Sequence, residues 1–183
     1  MELVKNFTQS KLIKNLFIAL IGSIVLAISA KIKIPFYPVP MTMQTFVVLF
    51  LGISFGYKIG LFTVCLYLAE GIIGLPVFSN SPERGVGLAY FTGPTMGYLI
   101  GFLSACFFAS FVKIEDNYFK VFSKLILSVS TIYLLGILWL GTIIGWDKPV
   151  FELGVVPFLW AEVFKIVLLT VIAKKIFKLR KFI

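Results

Sequence analysis

Residues Val155–Ile176 read VVPFLWAEVFKIVLLTVIAKKI, an apolar run closed by two lysines and carrying a carboxylate, Glu162, and an ammonium, Lys165, within it. A helix needs roughly 20 mostly apolar residues to cross a bilayer, and this run has that length. Five more segments meet the same criterion or approach it: Leu12–Ala30, Thr42–Phe55, Ile59–Gly74, Pro94–Val112 and Phe122–Gly145. The expected fold is therefore an all-α membrane protein of six transmembrane helices, forming one integral membrane domain over residues 1–183. The second and third segments are short and interrupted by Gly or bordered by Pro, as in helices that line a cavity.

Composition points the same way. Of 183 residues 60% are apolar and only 14% charged, whereas a soluble domain carries about a quarter charged residues. The 17 Lys and Arg exceed the 8 Asp and Glu by enough for a net charge of +9, but they mark ends and loops, not a nucleic-acid-binding surface. With both termini inside, Lys5, Lys11, Lys14, Lys58, Lys113, Lys120, Lys124, Lys174, Lys175, Lys178, Arg180 and Lys181 fall on the inner side. Only Lys31, Lys33, Arg84 and Lys148 fall outside, and Lys165 lies in a span. Short cytoplasmic loops collect Lys and Arg, so the topology is N-in/C-in in a multi-pass cell-membrane protein. Ala27-Ile28-Ser29 mimics a signal cleavage site, but Lys31 and Lys33 directly after it suit a retained span better.

Several chemistries are excluded. Histidine is absent, which removes His-based triads and most catalytic zinc sites. Cys65 and Cys106 stand alone in apolar runs, and no Gly-rich loop ending in Lys-Ser or Lys-Thr is present to cradle ATP. No cofactor, metal or enzymatic activity is expected. Active transport would have to draw on another polypeptide or an ion gradient.

Charge inside hydrocarbon costs about 2.5–3.5 kcal/mol per residue on insertion scales, so Glu70, Glu162 and Lys165 are candidates for function. Glu162 and Lys165 are three residues apart and share a helix face, which fits a structural ion pair and a ligand site equally. Near them, Ile34–Pro40 is stiffened by three prolines and delivers Thr42, Gln44 and Thr45 to the outer end of the second span. Gly74–Gly87 begins apolar and turns polar and Gly-rich, as a lid over a cavity does, and brings Asn80 and Arg84 above it. The outer half thus offers the amides of Gln44 and Asn80, the Glu162 carboxylate, the cations Lys165 and Arg84, and aromatics that include Tyr67 and Tyr98. Such a set suits a small organic anion with an apolar body. Small residues recur every four positions in two spans, at Gly93, Gly97, Gly101, Ala105 and Ala109, and at Ala19, Ser23 and Ala27. This spacing allows close helix approach, within the bundle or against a partner protein.

Three ordered motifs go further. Pro38-Val39-Pro40-Met41-Thr42-Met43-Gln44-Thr45-Phe46, Tyr67-Leu68-Ala69-Glu70-Gly71-Ile72-Ile73-Gly74-Leu75-Pro76-Val77-Phe78 and Gly93-Pro94-Thr95-Met96-Gly97-Tyr98-Leu99-Ile100-Gly101-Phe102 resemble the BioY family. These are the biotin-specific substrate-binding (S) components of energy-coupling factor (ECF) transporters. The resemblance covers nearly the whole chain, including Gly154-Val155-Val156-Pro157-Phe158 ahead of Glu162 and Lys165. It implies a protein that captures biotin outside and works with a transmembrane coupling subunit and two cytoplasmic ATPases. On this chain the family's biotin pocket falls on Asn80, Glu162 and Lys165, and its docking surface on Ala19, Ser23 and Ala27. The family more often has Asp at Glu162 and Gly at Met96, so the carboxylate here reaches further. Within the same architecture, the alternatives are an S component for another small vitamin and an autonomous biotin carrier.

Overall fold

The computed structural model describes the backbone of residues 2–183 and the side chains from Lys11 onward; the Lys5 side chain lies outside the described residues. Helix α1 (Glu2–Lys31) leads into a two-strand hairpin, β1 (Lys33–Ile34) and β2 (Met41–Thr42), paired antiparallel with Lys33 opposite Thr42. Then come α2 (Gln44–Ile72), the short α3 (Leu88–Phe91), α4 (Met96–Ala109), α5 (Tyr118–Ile144), the short α6 (Val150–Gly154) and α7 (Leu159–Phe177). Four stretches are long and apolar enough to cross a membrane: Lys11–Lys31, Gln44–Ile72, Tyr118–Ile144 and Val150–Phe182. Met96–Ala109 is apolar but shorter.

The second and third expected spans lie in one element, α2, and Gly56 explains how. Its φ of 67° and ψ of −179° are non-helical and lie in a region essentially restricted to glycine. The two arms fold back on each other there. A Cβ on Gly60 would lie 3.5 Å from the Gly52 Cα, and the Gln44 amide donates to the Tyr67 hydroxyl at 2.8 Å. An unbroken helix would separate Gln44 from Tyr67 by about 35 Å at 1.5 Å per residue.

Small residues set the packing. Gly97 and Gly101 let α4 meet α5 so closely that an added Cβ would lie 2.4 Å from the Leu135 carbonyl and 2.6 Å from the Ile132 Cα. Gly52 gives α2 the same approach to the Cys106 carbonyl of α4. This is close backbone contact of the kind that drives helix association in lipid.

The small-residue stripe of α1 packs within the bundle, against α2. Ala19 and Ser23 are fully buried, Ala27 packs against the core, and the Ser23 hydroxyl donates to Glu70 of α2 at 2.8 Å. Gly22 between them abuts Thr63. The exposed face of α1 consists of large side chains such as Leu16, Phe17, Ile24 and Ile28. The small residues are consumed by the α1–α2 contact because α2 is the neighbour that α1 packs on.

At one end of the bundle the basic residues gather. Arg180, in a 3-10 turn after α7, donates to the carbonyls of Ile53 and Gly52 in the first arm of α2 and of Ser110 after α4. A guanidinium there satisfies orphan carbonyls at two helix ends and opposes their dipoles. Lys124 and the Lys113 amide hold Asp116 nearby, and Lys14 approaches the Phe182 ring.

Candidate ligand cavity

The opposite end of the bundle is hollow. The first residues of α2, the first half of α4, the middle of α5 and Glu162 of α7 surround a narrow, open-mouthed cavity. The hairpin segment at Val39–Thr42 and the loop residue Ser79 complete its walls. Residues 35–40, with three prolines, bend back as the loop of the β1–β2 hairpin, so the chain reverses beside the cavity instead of continuing α1 or running extended.

Glu162 and Lys165 meet, as their spacing predicted. The Lys165 ammonium donates to the Glu162 carboxylate at 2.8 Å, to the Thr45 hydroxyl at 2.9 Å and to the Thr42 carbonyl at 2.7 Å. Lysine has three donors, and all are used. Thr45 in turn donates to the same carboxylate oxygen, Oε1, at 2.8 Å. The second oxygen, Oε2, is buried without a hydrogen-bond partner among the described residues, on a side chain that lines the cavity. An unpaired buried acceptor costs about 1–3 kcal/mol, more when charged, so this atom is poised to accept a donor.

The other expected residues divide into walls, supports and outliers. Gln44 and Tyr98 line the cavity, and the Tyr98 hydroxyl is anchored on the Gly154 carbonyl at 2.9 Å. Tyr67 stands behind the wall, fully buried, accepting from Gln44 and donating to the Val77 carbonyl at 3.1 Å. Asn80 is half-buried in the loop, and its side-chain oxygen accepts from Lys33. Arg84 is exposed and turns away from the cavity: it donates to the Pro38 carbonyl at 3.0 Å and lies 5.6 Å from the Tyr37 ring. Lys165 and Arg84 are therefore both engaged elsewhere. Among the described residues, no Lys or Arg lines the cavity, and Glu162 is its one charged wall.

The sequence reading missed several wall positions: Tyr133 of α5, Thr95, Phe102 and Phe158. An aromatic in an apolar run carries no signal of which way it points. Tyr133 is recognisable only once the Phe158 ring stands 6.1 Å from it.

A family model, described as the BioY family, matches residues 4–182. The chain belongs to the BioY family. BioY relatives include a probable biotin transporter of Pyrococcus horikoshii, 34% identical over 161 residues, covering 88% of this chain and 91% of the relative. A biotin transporter of Thermotoga maritima is 32% identical over 167 residues, covering 91% and 97%. In fold, this BioY chain is similar to the crystal structure of the S-component for biotin from an ECF-type ABC transporter. The TM-score is 0.77 at 26% identity, over 92% of this chain and 93% of the other. BioY members are thus named as transporters, not enzymes.

Proposed function

We propose that this chain is the biotin-binding S component of an ECF-type importer, a single membrane domain over residues 1–183 that crosses the cell membrane six times. The two arms of α2 count as two crossings, with α1, α4, α5 and the segment ending in α7 as the other four. Both termini lie inside. The gathering of Lys14, Lys58, Lys113, Lys124, Lys174 and Arg180 toward the end opposite the cavity supports this orientation, and the cavity then opens outward.

The observation that carries the reading is the unpaired Glu162 Oε2 in an otherwise uncharged cavity. Biotin's ureido group presents two N–H donors, and one of them meets this oxygen in a charge-assisted bond of about 1.5–3 kcal/mol. Phe102, Phe158 and Tyr133 enclose the fused rings. Lys165 serves as the fixed counter-ion of Glu162, and its filled donor set leaves the ligand carboxylate to point toward the mouth. Tyr67 supports the wall, Asn80 belongs to the lid, and Arg84 straps the lid to Pro38. Nanomolar affinity, about −12 kcal/mol, is within reach of such contacts and ring burial. Delivery inward falls to a transmembrane coupling subunit and two ATPase subunits. With Ala19 and Ser23 buried and Ala27 half-buried, docking on α1 uses mainly its bulky outer face.

Titration of the purified chain with biotin, riboflavin, thiamine and pantothenate tests the assignment. Saturable binding of biotin alone is expected. Binding of another vitamin in its place sinks it, and biotin accumulation in vesicles that contain only this chain and a pH gradient favours an autonomous carrier.

A further inference from the structure

The loop from Gly74 to Gly87 is held from the end of α1 and from β1, neither of which lines the cavity. At the end of α1, Lys31 donates to the carbonyls of Phe78 and Ser81, both at 2.7 Å. In β1, Lys33 donates to the Ser79 carbonyl at 2.6 Å and to the Asn80 side-chain oxygen at 3.0 Å. Two ammonium groups thus grip Phe78, Ser79, Asn80 and Ser81 in succession, through short charge-assisted bonds.

These four residues are the working part of the lid. Ser79 lines the cavity. Phe78 is buried behind the wall, stacked 4.7 Å from the Tyr90 ring, which does line the cavity. Both lysines are exposed, so their bonds compete with water and can open without disturbing the core. Arg84 ties the lid to Pro38 independently, while Lys31 ties it to the end of α1 and Lys33 ties it to β1. The end of α1 runs directly into β1, which is paired with β2, so the lid is freed by loss of the exposed ammonium bonds and not by movement of the helix.

We infer that Lys31 and Lys33 form a latch, a pair of positioning residues that hold the lid closed over the ligand and set how long it is retained. Exchange of these bonds for water frees the Phe78–Ser81 turn. The ligand arm of this inference rests on the cavity being the biotin site; the lid arm does not.

The test pairs the two arms on the K31M/K33M variant of the full chain in lipid nanodiscs. In ligand-free protein carrying Ser79→Cys, a membrane-impermeant maleimide should react about tenfold faster when both lysines are replaced, as expected when local opening becomes easier. The rate is read against the same proteins without Ser79→Cys, which removes any signal from Cys65. Biotin dissociation should also rise about tenfold, the rate in which most affinity differences between related complexes reside. The K31R/K33R variant, which keeps the charge, should stay near wild type in both measurements. Unchanged labelling overturns the latch, whatever biotin does. Faster labelling with unchanged dissociation overturns its role in retention. Failure of the wild type to bind biotin refutes the proposed ligand and leaves the labelling result standing. Single K31M and K33M variants, expected to be intermediate, replace the pair if it does not insert.

Discussion

Replacing Lys165 by Met should destabilise the protein strongly, and replacing Glu162 by Met as well should restore much of the stability without restoring ligand binding. The Lys165 and Glu162 side chains are 5% and 6% exposed. Removing the ammonium alone deletes three hydrogen bonds and leaves the carboxylate buried with only the Thr45 hydroxyl. Breaking a buried pair in this way costs about 3–5 kcal/mol, whereas replacing both charges with apolar groups of similar volume is often neutral. For a chain of this size each kcal/mol moves Tm by about 2–4 °C, so K165M should melt about 6–20 °C below wild type. E162M/K165M should recover most of that loss. Thermal unfolding in detergent, followed by tryptophan fluorescence, measures the first comparison and biotin titration the second. Without the acceptor, the double variant should bind about 10- to 150-fold more weakly, the equivalent of about 1.5–3 kcal/mol. A wild-type Tm for K165M refutes the buried pair. A double variant no more stable than K165M refutes the charge-imbalance argument. Wild-type affinity in the double variant would falsify the placing of Glu162 against the ligand.

Three further outcomes are expected. Gly56→Ala should cost about 1–3 kcal/mol, because its backbone lies in a glycine-only region; an added Cβ has space there, its nearest neighbour being Arg180 at 3.9 Å. An unchanged Tm would mean that α2 does not turn back at Gly56. Ala19→Leu, at a fully buried position, should lower the Tm of the isolated chain by the equivalent of about 1–3 kcal/mol of overpacking. A partner-facing alanine would tolerate the change when no partner is present. Asp116 gives a pH signature: burial pushes its carboxyl up, but the Lys124 ammonium and the Lys113 N–H outweigh this and hold it below its usual 3.8. A depressed carboxyl stabilises the fold above the unfolded value and loses that contribution as pH falls through the folded one. The Tm advantage of wild type over Asp116→Asn should therefore be full near neutral pH and vanish as pH drops below about 3.8; a pH-independent difference contradicts this.

Much of this protein is legible without coordinates because the bilayer imposes so narrow a rule. Every backbone polar group in hydrocarbon must be paired within the chain, so an apolar run such as Val155–Ile176 has to be a helix. Intramembrane charge is expensive enough that Glu162 and Lys165 stand out, and i,i+3 spacing puts them together on any helix. Gly56, by contrast, sits in an apolar run that reads equally as two spans or one broken helix. The facing of small residues is equally silent: Ala19, Ser23 and Ala27 define a flat helix face, and only the position of α2 decides that it is an interior one.

What the sequence alone determined is local or periodic: helices, charges in oil, a proline-stiffened segment, a polar loop and ordered family motifs. What only the tertiary structure decided is where donors end. Lys165 and Arg84 are both cations in sequence, but one is spent on Glu162, Thr45 and Thr42 and the other on Pro38. Lys31 and Lys33, which in sequence only mark a side of the membrane, reach 46 to 50 residues along the chain to hold the lid. Hydrogen bonds are short-ranged and directional, so the ligand of an ammonium group is known only when the chain has brought its acceptors within 3 Å.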